Sequence, residues 1–409
     1  MPHPHLSKAS GPPPRGSARN ASASSDFVVA TDAGLYCPDG DFYVDPWQPV
    51  PRAIVTHAHG DHAVIGANRY LTSAAGRQPL RTRVGEGSTV DGLDYGEPLR
   101  INNVELSFHP AGHILGSAQV RLERGGEVWV VSGDYKTAAD PTCDPFEPVA
   151  CSTFITESTF GLPIYRWRSQ EAVFAEINAW WRANAAEGRP SLVFAYALGK
   201  AQRLLSGVDS SIGPIFCHGA VERWNAVYRG AGVALPPTAV PRQNEGRELW
   251  RTSLIVAPPS ARGALWERKF VNRSTAFVSG WMQIRGARRR RAVDRGFVLS
   301  DHADWPGLVS AIRATGAGRV LATHGATGPM VHWLNEQGLS AASISTRFEG
   351  EQDEREEIED EIGAEEDSLK PPALPVDGIT MDSLFERSST GGAGGFQVLQ
   401  RELFDEAEP

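Results

Sequence analysis

The segment Thr56-His57-Ala58-His59-Gly60-Asp61-His62 constrains this chain more than any other. Three imidazoles and a carboxylate fall within six positions, directly after the apolar run Ala53-Ile54-Val55. Imidazole nitrogen and carboxylate oxygen suit Zn²⁺ and similar borderline cations. His57 and His59 alternate along an extended loop, so both rings can point the same way. Asp61 and His62 lie further on and can face a second ion. A merely solubilising loop has no need of such ligand density. One segment cannot fill two coordination shells, however. Three more ligand-type residues end predicted strands: His113 in PAGHILGSA, Asp134 in VVSGDYKT and His324 in LATHGAT. Catalytic loops sit where a rigid strand meets an open face. Joined to residues 57–62, these three complete a dinuclear site with an Asp placed to bridge.

Short strands are predicted at 42–46, 53–57, 104–110, 117–123, 127–134 and 152–159, with Arg124-Gly125-Gly126 marking a hairpin turn. Strands this dense before the first long helix predict sheet packed on sheet. The spacing of Val173, Phe174, Ile177, Trp180 and Trp181 predicts a helix over 170–187. Buried-type strands at SLVFAYA, PIFCHG, 253–259 and 274–282 then alternate with helical stretches, the pattern of a doubly wound α/β layer. GFVLSDHADW and RVLATHGAT close the folded region.

Composition excludes several classes. No run of 18 apolar residues exists, so no membrane span is expected. The first residues lack the apolar stretch of a secretory signal. The four cysteines form no CxxC pair, against a disulfide scaffold or a Cys-based zinc site. A cytoplasmic location is expected. The net charge of −9 is unevenly spread: residues 349–367 hold twelve acids against one base, and 368–409 seven against three. Residues 1–348 therefore carry +6 and can meet a polyanion.

HxHxDH followed by AGHILGSA and SGDYK resembles the metallo-β-lactamase fold. TESTFG, SDHAD and ATHGAT resemble the three further motifs of its β-CASP nuclease branch. The likeness runs over roughly residues 30–348. GDFYVDPW, TFITESTFGLPIYRW and FAYALGKAQRLL resemble, more narrowly, bacterial ligase-associated DNA exonucleases. The resemblance implies an αββα sandwich with an inserted α/β domain. Its expected divisions are a disordered tail over 1–26, the first part of the sandwich over 27–160, the inserted β-CASP domain over 161–296, the closing part over 297–348 and an acidic flexible tail over 349–409. It implies two divalent ions, Zn²⁺ or Mn²⁺. His57, His59 and His113 would hold the first, and Asp61, His62 and His324 the second. Asp134 would bridge them, and Asp45 would brace the metal loop from behind. Asp61 and Asp134 thereby count as catalytic as well as ligating.

Paired metals about 3.5–4 Å apart lower the pKa of a shared water and offset charge at phosphorus. The leaving oxygen also needs a proton. His302 in SDHAD is the candidate donor, because imidazole titrates near neutrality. Glu157 is the carboxylate that the resemblance sets beside it. An insertion of this size suits a nuclease cleft better than a small-ester hydrolase. Arg285, Arg288, Arg289, Arg290 and Arg291 can neutralise phosphates, and Tyr165, Trp266 and Trp281 can stack on bases. Gly199-Lys200 is not a P-loop, having no Gly five positions earlier and no Ser or Thr after it. A helix starting there can still turn its N-terminus to a phosphate. His109, His218 and His332 read as structural. Gln400, Leu403 and Phe404 resemble a sliding-clamp docking peptide.

The expected function is a metal-dependent DNA exonuclease in repair, with a DNA ligase, a helicase and the clamp as partners. An RNA-processing nuclease is the alternative. The resemblance attaches it to His324, since RNA-acting members carry His at that motif and eukaryotic DNA-acting members Val. A non-catalytic nucleic-acid-binding protein is disfavoured by the complete ligand set.

Overall fold

The computed structural model describes residues 26–242, 247–284 and 293–346. Two mixed sheets and one parallel sheet carry the fold. The first sheet has six strands in sequential order: β1 (Val29–Thr31), β2 (Gly34–Cys37), β3 (Phe42–Val44), β4 (Arg52–Ile54), β5 (Arg69–Ser73) and β6 (Val90–Leu93). It turns from antiparallel to parallel at β3. Helix α1 (Arg77–Val84) lies between β5 and β6. The second sheet contains β7 (Leu99–Ile101), β8 (Val104–Pro110), β9 (Ala118–Arg124), β10 (Glu127–Val131), β11 (Thr153–Ser158), β17 (Arg319–Gly325) and β18 (Ser340–Ser343). Its order is β18-β17-β11-β10-β9-β8-β7.

Period-two alternation decides how these sheets stack. Val104, Leu106 and Phe108 of β8, and Ala118, Val120 and Leu122 of β9, point to one face. There they meet Leu35, Cys37, Phe42, Val44 and Ile54 of the first sheet. The other face of the second sheet turns Val130, Phe154 and Val320 towards helices α6 (Trp305–Thr315) and α7 (Thr327–Glu336), through Leu308, Ile312, Met330 and Leu334. The first sheet's outer face packs Ala53 and Tyr70 on Leu80 and Val84 of α1. The layers run helix, sheet, sheet, helix, as expected of a metallo-β-lactamase sandwich.

The third sheet is wholly parallel, in the order β13 (Ile215–Cys217), β14 (Leu254–Ala257), β12 (Ser191–Phe194), β15 (Ser274–Val278), β16 (Arg295–Phe297). Its inner strands β14, β12 and β15 are mostly apolar because both faces are covered, whereas the edge strand β16 is Arg-Gly-Phe with Arg295 exposed. Val193, Leu254 and Val256 face α2 (Gln170–Ala186), α3 (Lys200–Gly207) and α4 (Gly219–Gly230) through Ile177, Trp181, Leu204 and Tyr228. Leu192, Phe194, Ile255 and Phe277 face Trp250, Trp266 and Phe270 on the far side, where the short α5 (Arg247–Trp250) lies. Strand β16 straddles residue 296, where the sequence put the end of the insertion.

Several expected strands stop short of their motifs. The strands expected to run to 46, 57 and 134 end at Val44, Ile54 and Val131, so Asp45, His57 and Asp134 stand on loops just beyond them. The tails over 1–25 and 347–409, Arg285 and Arg288–Arg291, and the peptide residues Gln400, Leu403 and Phe404 lie outside the described residues.

Candidate metal centre

Every strand-end motif arrives at one place. His57–His62 follow β4, His113 follows β8, Asp134 follows β10, Glu157 closes β11 and His324 closes β17. Ser300-Asp301-His302 follow β16 of the parallel sheet, and Leu198 lies beyond β12. The site thus sits where the sandwich meets the carboxyl ends of that sheet, the usual place for a ligand in such a layer.

Two tight glycine contacts allow this convergence. Gly133, at φ +56°, lies so close to Thr56 that an added Cβ would stand 2.6 Å from its side chain. Gly112, at φ +74°, leaves only 2.3 Å between such a Cβ and the Lys136 carbonyl oxygen. Larger residues would push Asp134 off the 57–62 loop and His113 off its neighbours.

The imidazoles are aimed by their outward nitrogens. His62 Nδ1 donates to Asp45 Oδ2 at 2.8 Å. Thr56 Oγ1 donates to the same oxygen at 2.6 Å and lies 3.0 Å from His57 Nδ1. His113 Nδ1 donates to the Asp301 carbonyl at 2.9 Å. His324 Nδ1 is 3.0 Å from Thr323 Oγ1. His59 is reversed, with Nε2 3.3 Å from the Leu198 carbonyl. Each ring thereby turns its other nitrogen inward, the arrangement that fixes the tautomer of a metal-binding histidine.

The inward atoms form two adjoining pockets. His57 Nε2, His59 Nδ1 and His113 Nε2 make the first, with His59 3.2 and 3.0 Å from the other two. His62 Nε2 and His324 Nε2, with Asp134, make the second, and Asp61 Oδ2 stands at its edge, 3.5 Å from His62 but outside that tight group. Asp134 lies between them. Its Oδ2 is 3.5 Å from both His57 and His62 and 3.9 Å from His113, and its Oδ1 is 2.8 Å from His324. Asp45 serves both pockets from behind at a positive φ of 44°. Such backbone is uncommon outside glycine and persists where the surroundings enforce it.

The electrostatics fit a cation. Burial drives the pKa of His57 and His113 well below the imidazole range, so both present lone pairs rather than charge. Burial also opposes charge on His62, yet Asp61, Asp134 and Asp45 outweigh it and raise its pKa well above normal. Asp134 is likewise buried, but His62, His324 and His302 hold its carboxyl well below the usual range. The second pocket therefore calls for positive charge, and the first supplies neutral nitrogen donors. This donor set can hold metal.

His302 stands beside the pockets, its ring 4.6 Å from that of His113. Glu157 grips His302 Nδ1 at 2.9 and 3.1 Å and accepts the Tyr135 amide at 2.7 Å. Burial disfavours the imidazolium, but Glu157, Asp134 and Asp301 outweigh it and lift its pKa to about 9.

The structure adds residues that motif reading passed over. Asp301 orients His113 through its carbonyl, while its carboxylate is paired with buried Lys200 at 3.2 Å. Lys136 and Arg203 both donate to the Ser300 carbonyl, and Arg203 also pairs with Asp140. Burial, with Arg203 beside it, lowers Lys136 to about 7. The adjacency of Asp301 to His302 was visible in the sequence; the cations that clamp it come from distant segments. The first amides of α3, where a phosphate was an option, are taken up within the protein. The Gly199 amide donates to Gln202 Oε1, and the Lys200 and Ala201 amides to Leu198 and Tyr196 carbonyls. Tyr165 and Trp266 are buried, Trp266 against His218 and Phe270. His218 caps α4, His109 bonds Ser107, and exposed His332 pairs with Glu336.

No family model matches the chain. A probable DNA ligase of Opitutus terrae is 31% identical over 313 residues, covering 76% of this chain and 30% of that protein. An RNase J-like protein of Methanocaldococcus jannaschii is 24% identical over 233 residues, covering 49% and 55%. The endoribonuclease YSH1 of Gibberella zeae is 26% identical over 212 residues, covering 47% and 24%. The chain belongs to the β-CASP branch of the metallo-β-lactamase fold. It spans less than two thirds of the length of each of these relatives. Among the described residues of this β-CASP protein, no helix is long and apolar enough to cross a membrane.

Proposed function

We propose that this β-CASP protein hydrolyses nucleic-acid phosphodiester bonds with two divalent ions, acting as a DNA exonuclease in repair beside a DNA ligase. The observation that carries the reading is the convergence of five inward imidazole nitrogens on one shared carboxylate, Asp134, with His302 alongside. His57, His59 and His113 would hold one ion and Asp61, His62 and His324 the other, with Asp134 within reach of both. Bound there, Zn²⁺ or Mn²⁺ supplies an activated water and offsets the charge gathering on the phosphate. His302, protonated at neutral pH, gives its Nε2 proton to the departing oxygen. Glu157 keeps that ring charged and turned to the cleft. Asp45 fixes the ring of His62 and, through Thr56, that of His57, and the Asp301 carbonyl fixes that of His113, so the donors would be held in place before a metal binds.

The DNA reading is supported by the relative whose name is a DNA ligase and by the longer strings shared with ligase-associated exonucleases. RNA is favoured by His324 and by the two relatives named for RNA cleavage. The Arg285–Arg291 run would hold backbone phosphates, and the Gln400–Phe404 peptide would dock a sliding clamp, with a helicase as a further partner. End-labelled single-stranded DNA, duplex DNA and RNA of one sequence, digested with Zn²⁺ or Mn²⁺, test the reading. Stepwise shortening of DNA is expected; cutting of RNA alone overturns the substrate assignment, and no cutting of any strand overturns the activity.

A further inference from the structure

Three residues after Glu157, the chain begins an aromatic cluster that the chemistry above does not use. Phe160 and Tyr165 are buried at its base. Phe160 lies 4.8 Å from Trp167, 4.9 Å from Trp281 and 5.9 Å from the His302 ring. Trp167 is pinned on two edges: its amide donates to Asp304 at 2.8 Å, and its indole Nε1 to the His302 carbonyl at 3.0 Å. Trp281 rides on Phe160 and Tyr165 from a short turn after β15. The turn backbone presses flat on these rings, and a Cβ at Gly280 would stand 2.5 Å from Phe160 and 3.0 Å from Trp167. Packing of this kind leaves the rings little freedom. Both indoles nevertheless keep some exposure, although Trp281 also packs on the core beside Phe277, and Arg166, the residue before Trp167, is exposed.

Rigid, partly exposed indoles with a neighbouring cation, beside a proton donor, match what unpaired bases need: a flat π surface and a backbone charge. We infer that Trp167 and Trp281 form a stacking wall for unpaired nucleobases next to the scissile phosphate, so that this protein draws in single-stranded ends. The inference rests on the nuclease reading above. A duplex keeps its bases stacked on each other and cannot use the wall; a frayed or single strand can.

The test compares KM and kcat on a single-stranded oligonucleotide and on the same strand with abasic sites around the cut. Wild type should show a KM about tenfold lower on the base-bearing strand. Trp281→Leu should raise that KM about tenfold and Trp281→Phe by less than roughly threefold, while either changes the abasic KM less than about twofold. Equal KM on the two strands for wild type, or an equal rise on both in Trp281→Leu, overturns the wall while leaving the nuclease reading intact. The wild-type comparison needs no variant to fold. Wild type cutting neither strand overturns the nuclease reading and the wall with it, a distinct result.

Discussion

The inward nitrogen of His59 lies 3.2 and 3.0 Å from those of His57 and His113, whereas His62 and His324 meet the carboxylates of Asp45 and Asp134 at 2.8 Å. The same side chain therefore does two jobs a few ångströms apart. In the first pocket, burial strips charge from the imidazoles and leaves neutral nitrogen donors. In the second, three aspartates around His62 overcome that burial and leave a site that wants a cation. A pocket of neutral nitrogens discriminates by lone-pair chemistry, and a pocket of carboxylates by charge. Asp134 belongs to both, Asp45 supports both from behind, and His302 belongs to neither.

That division sets the order of expected effects. Asp134→Ala should be the most damaging change, removing the shared carboxylate. Both metals should be lost in elemental analysis and phosphodiester cleavage should fall roughly a thousandfold or more. Retention of one tightly held ion would show the pockets to be independent, with Asp134 serving only one. His302→Gln comes next, lowering kcat by about 10²–10⁴ with the metal content of the wild type. Metal loss in that variant would move His302 from proton donor to ligand. Asp45→Asn should weaken metal affinity by about 10–100-fold in chelator competition. Both ions should be affected, because Asp45 reaches His62 directly and His57 through Thr56. Weakening of the second ion alone would show the Thr56 relay to be idle.

How much of this could be read from the chain differs between layers. The convergence of His57–His62, His113, Asp134 and His324 was legible because each ligand lies just past an apolar strand, and strand ends of one sheet sit side by side. The layering was legible for the same reason: alternation in β8 and β9, and unbroken apolar runs in β12 and β14, state which faces are covered. The strands of the first sheet were mostly missed. They are three to five residues long, and β6, Val90-Asp91-Gly92-Leu93, has exposed polar positions at its centre. Lys200, Arg203, Lys136 and Asp140 were missed as a group. Their meaning is purely tertiary, since cations from two distant segments gather on one carbonyl and one carboxylate of the 300–301 loop, with Asp140 pairing Arg203. Nothing local marks a lysine for such a partner, and Gly199-Lys200 drew attention only as a failed phosphate loop.

The smallest effect concerns the residue outside both pockets. His302 stays charged because Glu157, held in turn by the Tyr135 amide, faces its Nδ1. Its pKa lies at about 9, above the ordinary imidazole value. A group that must donate a proton supports catalysis below its pKa and fails above it. The rate should therefore hold through neutral pH and decline as pH rises through about 9. Glu157→Gln keeps the shape and a hydrogen-bonding oxygen but removes the anion that favours imidazolium. The alkaline limb should then move to lower pH by about one unit or more, with unchanged metal content and only a modest loss at the new optimum. A full pH–kcat profile of the two proteins decides this. An alkaline limb that stays in place assigns that ionisation to another group and leaves Glu157 a support for the Tyr135 backbone alone.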